Sequence, residues 1–308
     1  MSRCSKVKII CIGEILWDSL PTGLFLGGAP LNVSLNLRNF TDEVAIISRV
    51  GNDRLGDEAI ARIKNRNVTT DLIQRDENLE TGFVEVTLDD SGSPDYHIVD
   101  AVAWDQIEVS NPLLEHFNKA WAIVFGSLAQ RSETSRKTIQ TLMQSACLRV
   151  FDINLRPPFI DPDIIEESLH YTDILKINKD ELTQLGEWFD LPGEIEEAVA
   201  QLSADFDIPI ITVTCGDEGA ALLYHSEWFE HPGFKINVAD AVGAGDAFLS
   251  ALLYGIQKGE HGDDILALAN ATGAYVASHN GAAPEYDIDE IEKMMDRRLT
   301  IDDGRKST

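Results

Sequence analysis

The chain has 308 residues, a formal net charge of −27 at pH 7 and 44% hydrophobic residues, so it can bury a core without disulfides. The charge excludes a general nucleic-acid binder, because no basic run offsets the repulsion of a phosphate backbone. An anionic ligand must therefore be held by local backbone amides or by a metal, against the overall field.

Strand-like and helix-like segments alternate along the chain. Val7–Gly13 and Val44–Val50 have the pattern of buried strands, and helical spacing follows them at Gly28–Phe40 and Leu55–Arg66. Further strands, with helical stretches between them, are predicted at Ala122–Phe125, Leu148–Ile153, Ile174–Ile177 and Ile208–Val213. Short apolar runs that alternate with amphipathic helices indicate βαβ units, so we predict an α/β fold with a parallel sheet.

One region departs from this alternation. Thr81–Asp89 and Asp95–Val99 have the period of two that is typical of strands, and Asp90–Pro94 between them is rich in turn residues. A two-stranded hairpin inserted in an α/β chain cannot bury both of its faces by itself, so its second face must meet another surface or the solvent. The sequence leaves three alternatives open: a sheet edge, a lid over a ligand, or a dimer contact.

Cysteine usage and targeting signals point to an ordinary intracellular chain. The four cysteines are far apart and have no CxxC spacing, which favours reduced thiols over a zinc site. The apolar run Val7–Ile12 is too short for the core of a signal peptide or for a membrane span. We therefore expect a soluble cytoplasmic protein with neither membrane nor nucleic acid as a partner.

The sharpest motif is the small-residue turn Asp240–Asp246, which precedes an apolar helix over Ala247–Lys258. Backbone N–H groups at a helix N-terminus, beside the positive end of the macrodipole, can hold a phosphate without Lys or Arg. Asp246 lies at the same helix start, so its carboxylate is a candidate base for a substrate hydroxyl. An N-cap aspartate after a Gly-rich loop is the structural alternative.

Other nucleotide-binding patterns are missing from the sequence. There is no GxxxxGK[ST], which excludes a P-loop enzyme, and no GxGxxG follows the first strand. Gly243 and Gly245 form a GxG without the further glycine that a dinucleotide fingerprint requires. A dinucleotide site is therefore disfavoured.

A second ligand-binding pattern lies near the N-terminus. Gly27 and Gly28 open a helix that carries Asn32, and Asp18 follows the first strand. Ligands of open α/β sheets bind at the carboxyl ends of strands. A carboxylate paired with an amide suits polyol hydroxyls, whereas a solvated Asp and a helix-start Asn are the alternative.

In chain order these motifs resemble those of ribokinase-like carbohydrate kinases of the phosphofructokinase-B family, over roughly residues 7–298. The matching segments are Gly27–Asn32 continuing to Gly51 and Gly56 (first signature), Asn178–Glu181 (NxxE motif), Thr212–Ala220 (nucleotide loop) and Asp240–Asp246 (second signature). Segments that are similar to bacterial fructokinases are Gly13–Asp18, Leu26–Pro30, Ala103–Asp105 and Asp152–Pro157. One departure is Ala241, where the family usually has Thr.

The resemblance implies a fold and an activity. The fold would be a three-layer α/β sandwich with a mainly parallel central sheet, forming a single kinase domain over residues 1–308. Segments of about residues 21–27 and 81–103 would form a small β lid, whose closure excludes water. The reaction would be ATP-dependent phosphorylation of a sugar hydroxyl, with fructose as the first candidate acceptor and Mg²⁺ as cofactor. Related kinases often pair their lids, which implies a homodimer through this one.

The resemblance also implies roles for individual residues. The predicted phosphoryl-transfer residues are Asp246 as the base, Gly243, Ala244 and Gly245 as the anion hole, and Arg156 as a positive charge. The predicted sugar contacts are Asp18, Gly28, Asn32 and Asn154, and the predicted nucleotide contacts are Asn178, Thr214, Gly216, Gly219 and Asn270. Glu181 would hold Mg²⁺ through water, and Asp240 and Val242 match a region that binds a monovalent cation such as K⁺ in some members.

Several alternatives stay open. A capping box would explain Asn178 and Glu181, and an ordinary salt bridge would explain Arg156. Other acceptors are 2-keto-3-deoxygluconate, ribose or a nucleoside; a sugar phosphate is less attractive because no basic cluster lies near the lid segments. A non-catalytic sugar-binding protein on the same fold is the rival class. The intact Gly-Ala-Gly before Asp246 favours the enzyme.

Overall fold

A computed structural model describes residues 8–20, 23–41, 43–88, 94–110, 113–114, 120–144 and 147–302. Cys4, residues 21–22 of the predicted lid and residues 89–93 of the predicted hairpin turn lie outside these ranges. The chain divides into two compact units. The first consists of Met1–Ser34, Asp42–Arg149 and Asn154–Ile164, and the second of Leu35–Thr41, Val150–Ile153 and Ile165–Thr308.

The first unit holds most of the N-terminal half. Its strands are β1 (Lys8–Ile12), β2 (Leu16–Leu20), β3 (Gly23–Gly27), β4 (Val44–Gly51), β5 (Ile73–Asp76), β6 (Gly82–Leu88), β7 (Pro94–Ile98) and β8 (Ala120–Gly126). Its helices are the start of α1 (Ala29–Leu37), α2 (Arg54–Asn65) and α3 (Glu133–Met143), with 3₁₀ turns at Ala103–Gln106 and Leu128–Arg131.

Four of these strands form a parallel ladder. β1 pairs with β4 on one side and with β8 on the other, and β4 pairs with β5, all in parallel. Ile9, Ile10, Ile46 and Ile47 from the two central strands are fully buried. Strands covered on both faces are near-continuous apolar runs, which is why the sequence pattern predicted them.

The remaining strands of this unit form a small sheet in the order β3-β2-β6-β7. It contains the predicted hairpin and the lid segment predicted at about residues 21–27, of which Gly23–Gly27 form β3. Asp18 follows the first strand along the chain, as predicted, and lies in the middle of a further strand, β2, opposite Phe25 of β3. β2 was missed because its five residues include Asp and Ser and show no clean alternation.

The second unit carries the C-terminal half. Wholly or for the most part, it contains β9 (Leu148–Asp152), α4 (Pro162–Leu169), β10 (Ile174–Asn178), α5 (Lys179–Phe189), α6 (Ile195–Phe206), β11 (Ile210–Thr214), β12 (Ala220–Tyr224), β13 (Glu227–His231), α7 (Ala244–Lys258), α8 (Gly262–Ala277) and α9 (Ile288–Asp302). β9, β10 and β11 are parallel, whereas β12 and β13 continue the ladder in antiparallel fashion.

Packing between helices completes the second unit. Ala247 of α7, Ala271 of α8 and Ile291 of α9 belong to one buried cluster. Tyr286 joins that cluster and donates a hydrogen bond from its hydroxyl to Asn36 Oδ1 at 3.2 Å. Each unit combines parallel strand pairs with flanking helices, which confirms the predicted α/β class. Across the ranges that the structure describes, no helix is both long and apolar enough to cross a membrane.

Candidate active site

Asp18 is a half-buried carboxylate on the small sheet. A Cβ placed on Gly27 would lie 2.7 Å from Asp18 Oδ2, so Gly27 leaves the space that this carboxylate occupies. Burial raises the pKa of Asp18 to about 6, and the positive charge of Arg156 opposes that rise. Asp18 is therefore a partly desolvated carboxylate of the kind that accepts hydrogen bonds from hydroxyls.

The start of α1 is built around a close backbone approach. Gly28 has φ +114°, and a Cβ there would overlap the carbonyl oxygen of Glu14. The buried carboxylate of Glu14 accepts a hydrogen bond from the backbone N–H of Ala29 at 3.2 Å, next to the positive end of the helix. Asn32 is buried in the first turn, where its N–H donates to Gly28 O at 2.8 Å.

Asn154 and Arg156 follow β9 in the segment that belongs to the first unit. Asn154 has φ +47°, a left-handed conformation that Asn tolerates better than most residues. The Arg156 side chain is exposed and donates from Nη1 to its neighbouring carbonyl, Leu155 O, at 3.0 Å. It has no ion pair within 4.0 Å among the described residues, so the salt-bridge alternative lacks support there. All four predicted sugar contacts and Arg156 therefore lie in one unit.

The small-residue turn and Asp246 form the N-terminus of α7. Gly243 is the N-cap with φ +79°, and a Cβ there would overlap Ala282 O, so this position requires Gly. Its carbonyl accepts the Ala247 N–H at 2.9 Å, which begins the helix. Asp246 lies in the first turn with 9% of its surface exposed, so it is not the N-cap that the alternative required.

A buried lysine lies beside this helix start. Lys176 of β10 is 5% exposed and donates from Nζ to Asp152 Oδ1 at 2.9 Å, and Asp152 is itself 3% exposed. Burial would lower the pKa of this lysine, but the carboxylates of Asp152, Glu181 and Asp246 together outweigh burial and raise it. We refer to Asp152, Lys176, Glu181 and Asp246 as the charge cluster.

Asn178 and Glu181 form the capping box that the sequence offered as an alternative. Asn178 Oδ1 accepts from the Glu181 N–H, and Glu181 Oε2 accepts from the Asn178 N–H, both at 2.8 Å. The box fixes the buried Glu181 carboxylate at the start of α5. The capping box does not test the predicted roles in nucleotide and metal binding.

Two carboxylates of the charge cluster suit Mg²⁺. The buried Oδ2 of Asp152 has no hydrogen-bond partner in the part of the chain that the structure describes, and Glu181 lies in the same cluster. In that part, no group of three or more His, Cys, Asp or Glu side chains is placed to hold a metal. This donor set fits an ion that takes most of its ligands from water and nucleotide phosphates.

The predicted nucleotide contacts lie mainly on one turn. Thr214 ends β11, and Gly216 and Gly219 form the tight turn into β12, closed by the Cys215 N–H donating to Gly219 O at 2.8 Å. Asn270 is buried on α8, and its Nδ2 donates to Leu266 O at 2.8 Å, so the amide N–H₂ already bonds to its own helix.

The predicted cation region is tied together by the side chain of Asp240. Its Oδ1 accepts from the Val242 N–H at 3.0 Å, and its Oδ2 accepts from the Gly281 N–H at 3.3 Å. Val242 is exposed. Each oxygen of the Asp240 carboxylate therefore binds one backbone amide.

Three buried residues with evident electrostatic roles had no predicted role: Glu14, Asp152 and Lys176. The available signal was a charged residue within or at the end of an apolar run, as in Ile174–Asn178. Lys is almost never fully buried unless it is paired, so a lysine in such a strand predicts a buried partner.

Comparison with known proteins identifies the family. Residues 22–288 match the family model described as pfkB family carbohydrate kinase. A relative from Pyrococcus horikoshii, named as a sugar kinase, is 30% identical over 287 residues, which cover 89% of this chain and 88% of that protein. Fructokinase-2 of Zea mays is 28% identical over 306 residues, covering 90% of each chain.

A solved structure of a sugar kinase is also similar to this chain. The crystal structure of an uncharacterized sugar kinase from Pyrococcus horikoshii in complex with ATP has a TM-score of 0.78 and 27% identity, covering 93% of this chain and 99% of that one. The family match spans both the first signature and the turn before Asp246. On these grounds the chain belongs to the pfkB family of carbohydrate kinases.

Proposed function

We propose that this chain transfers the γ-phosphoryl group of ATP to a sugar hydroxyl, and that the acceptor is fructose, which becomes fructose 6-phosphate. Support for ATP comes from the ATP complex of the Pyrococcus sugar kinase. Support for fructose comes from the maize fructokinase, at 28% identity.

The observation that carries the proposal is the carboxylate of Asp246 in the first turn of α7, next to the small-residue turn. Asp246 takes the proton of the acceptor hydroxyl, whose oxygen bonds to the γ-phosphorus while the bond to the β–γ bridging oxygen breaks and ADP leaves. Backbone amides of Gly243, Ala244 and Gly245 stabilise charge on the transferred group. The chain's net charge of −27 repels a phosphate, so local dipoles and the Mg²⁺ ion must offset that repulsion.

The acceptor contacts are assigned to the first unit. Asp18 and Asn32 would bond sugar hydroxyls, with Gly28 and Asn154 shaping the backbone around them. Arg156 would supply positive charge for the phosphoryl group in transfer. An ionised, partly desolvated Asp18 disfavours a carboxylated acceptor. This favours a neutral sugar over 2-keto-3-deoxygluconate.

Nucleotide and ions are assigned to the second unit. Thr214, Gly216, Gly219, Asn178 and Asn270 would contact the nucleotide. Glu181 and Asp152 would hold Mg²⁺ through water, and the ion would neutralise charge on the phosphates. A monovalent cation would be held by backbone carbonyls near Asp240 and Val242.

We also propose a homodimer formed through the small sheet. β3 is an edge strand, and its adjacent residues Leu24 and Phe25 are 46% and 44% exposed. Adjacent strand residues point to opposite faces, so this edge offers apolar surface on both sides. A second copy of the same edge would cover it.

The test is a coupled ADP-release assay with ATP and Mg²⁺ over fructose, ribose, 2-keto-3-deoxygluconate and a nucleoside, against a sugar-free control. We expect the highest kcat/KM with fructose, and ³¹P–¹³C NMR of the product should place the phosphate on C6. A higher kcat/KM with another acceptor would reject fructose. Sugar binding by calorimetry without any ADP release would reject the kinase in favour of a binding protein.

A further inference from the structure

Arg131 is a buried cation that the proposed function does not use. It ends the 3₁₀ turn Leu128–Arg131 of the first unit, and its side chain is 7% exposed. Its Nε donates to Asp105 Oδ1 at 2.8 Å, and its Nη2 donates to Asp105 Oδ2 at 2.9 Å. Asp105 is also buried, and its Oδ2 accepts a further hydrogen bond from the Val102 N–H at 3.1 Å. This bidentate pair fixes the plane of the guanidinium group.

The same guanidinium group contacts two aromatic rings and the small sheet. Its Cζ lies 4.0 Å from the centroid of the buried Trp104 ring and 4.5 Å from the centroid of the Phe159 ring. Its Nη2 also donates to Val99 O at 2.7 Å, directly after β7. Arg131 therefore connects the end of the small sheet with the segment Asn154–Ile164 of the same unit.

Phe159 belongs to the turn that carries two predicted ligand contacts. Its N–H donates to Arg156 O at 2.9 Å, which closes the turn, and Asn154 lies two residues before Arg156. The positive charge of Arg156 opposes the rise in the pKa of Asp18, so this turn acts electrostatically on the predicted sugar site. Residues 153–161 form neither a helix nor a strand, so side-chain contacts must restrain them.

Stability alone is a weak explanation for this arrangement. A buried ion pair contributes little on balance, because desolvation of both charges offsets their attraction, and an apolar pair of similar size is often as stable. A fixed, planar guanidinium group differs from an apolar side chain in that it can bond a carboxylate and stack against rings at the same time. In this structure its ring contact reaches Phe159.

We propose that Arg131 is a positioning residue for the acceptor sugar: its guanidinium group, fixed by Asp105, restrains the Phe159 ring and with it the turn that carries Asn154 and Arg156. The inference rests on the proposed function, in which Asn154 contacts the sugar and Arg156 the phosphoryl group. It also gives a role to the segment Ala103–Asp105, which supplies both Trp104 and Asp105.

The first test changes the ring and leaves the buried ion pair in place. We expect Phe159→Leu to raise the KM for sugar on the order of tenfold, because the turn loses its restraint, with the KM for ATP unchanged. Phe189→Leu is the matched control, since Phe189 is a half-buried residue of α5 whose ring contacts Trp188 and Phe206. It should leave both KM values at those of wild type. A wild-type KM for sugar in Phe159→Leu, or an equal rise in both KM values, would overturn the proposal.

A double-variant cycle tests whether Arg131 acts through Phe159. Arg131→Lys keeps the positive charge but loses the planar fork, so it should also raise the KM for sugar. If both residues act through one contact, Arg131→Lys/Phe159→Leu should raise that KM no further than the stronger single variant. Independent, multiplicative effects would reject positioning through Phe159. If Arg131→Lys does not fold, as judged by urea unfolding, the result for Phe159→Leu decides.

A second measurement does not depend on activity. If wild type shows no sugar-dependent ADP release, the proposed function fails, and hydrogen exchange followed by NMR still tests the restraint on the turn. The amide at position 159, which bonds to Arg156 O, should exchange on the order of tenfold faster in Phe159→Leu and in Arg131→Lys than in wild type. Phe189→Leu should not change this rate. Exchange at the wild-type rate in folded Phe159→Leu would refute the positioning role.

Discussion

Replacing Asp18 by Asn should stabilise the protein at neutral pH while weakening its binding of sugar. The carboxyl of Asp18 is partly desolvated, and burial raises its pKa to about 6 from the usual 3.8. Its folded form therefore binds a proton more tightly than its unfolded form. Between pH 3.8 and about pH 6, the folded state holds more protons than the unfolded state. The free energy of unfolding therefore decreases as the pH rises toward 6.

The pKa values give the size of the effect. The difference between about 6 and 3.8 corresponds to about 3 kcal/mol at 1.36 kcal/mol per pH unit. Asp18 keeps partial contact with solvent, so screening reduces this to about 1–2 kcal/mol. Asn lacks the charge and does not carry this penalty. The free energy of unfolding of Asp18→Asn minus that of wild type should thus grow by about 1–2 kcal/mol from pH 4 to pH 7.5.

Urea unfolding at several pH values measures this difference, with Asp71→Asn as a control at an exposed aspartate. Calorimetry on the same proteins should show sugar affinity of Asp18→Asn lowered by roughly 1–3 kcal/mol with ATP affinity unchanged. A stability difference that does not vary with pH would refute the burial argument. Loss of ATP affinity instead of sugar affinity would show that the two ligands are assigned to the wrong residues.

Three further changes probe the backbone and the sheet edge. Gly27→Ala should raise the KM for sugar on the order of tenfold, because the added methyl group displaces the Asp18 carboxylate. In the control Gly193→Ala, the methyl group meets no atom within 4 Å, so KM should not change. Equal KM values in the two variants would contradict the argument from the contact between Gly27 and Asp18. Gly243→Ala should lower the free energy of unfolding by roughly 1–3 kcal/mol in urea titrations, because φ is +79° there; a smaller loss would mean that the turn relaxes. Phe25→Asp should convert a dimer into a monomer by light scattering at micromolar concentration; a wild-type monomer that phosphorylates sugar at full rate would reject the dimer.

The turn before Asp246 could be predicted because its signal is local. Small residues followed directly by an apolar segment specify a helix start. The sequence predicted that start at Ala247, and α7 begins three residues earlier, at Ala244. Buried strands such as β4 were predictable for a similar reason, since continuous β-branched runs suit a sheet covered on both faces. The capping box of Asn178 and Glu181 follows from a three-residue spacing alone.

The charge cluster could not be predicted, because it depends on distances between separate strands. Asp152 and Lys176 are 24 positions apart and become partners through the parallel pairing of β9 with β10. The strand that carries Asp18 was not predicted, because pairing with β3 and β6, rather than local alternation, makes β2 a strand. The hydrogen bond of Asn270 to its own helix could not be predicted from the sequence either.

The most direct test of the account is the turnover of Asp246→Asn with ATP and fructose. Asn keeps the shape of the side chain but cannot accept the hydroxyl proton, so kcat should fall on the order of 10²–10⁴-fold. Calorimetry should show that the variant still binds ATP and fructose with near wild-type affinity, which excludes loss of the fold as the cause. Turnover by Asp246→Asn close to that of wild type would contradict the claim that Asp246 is the base.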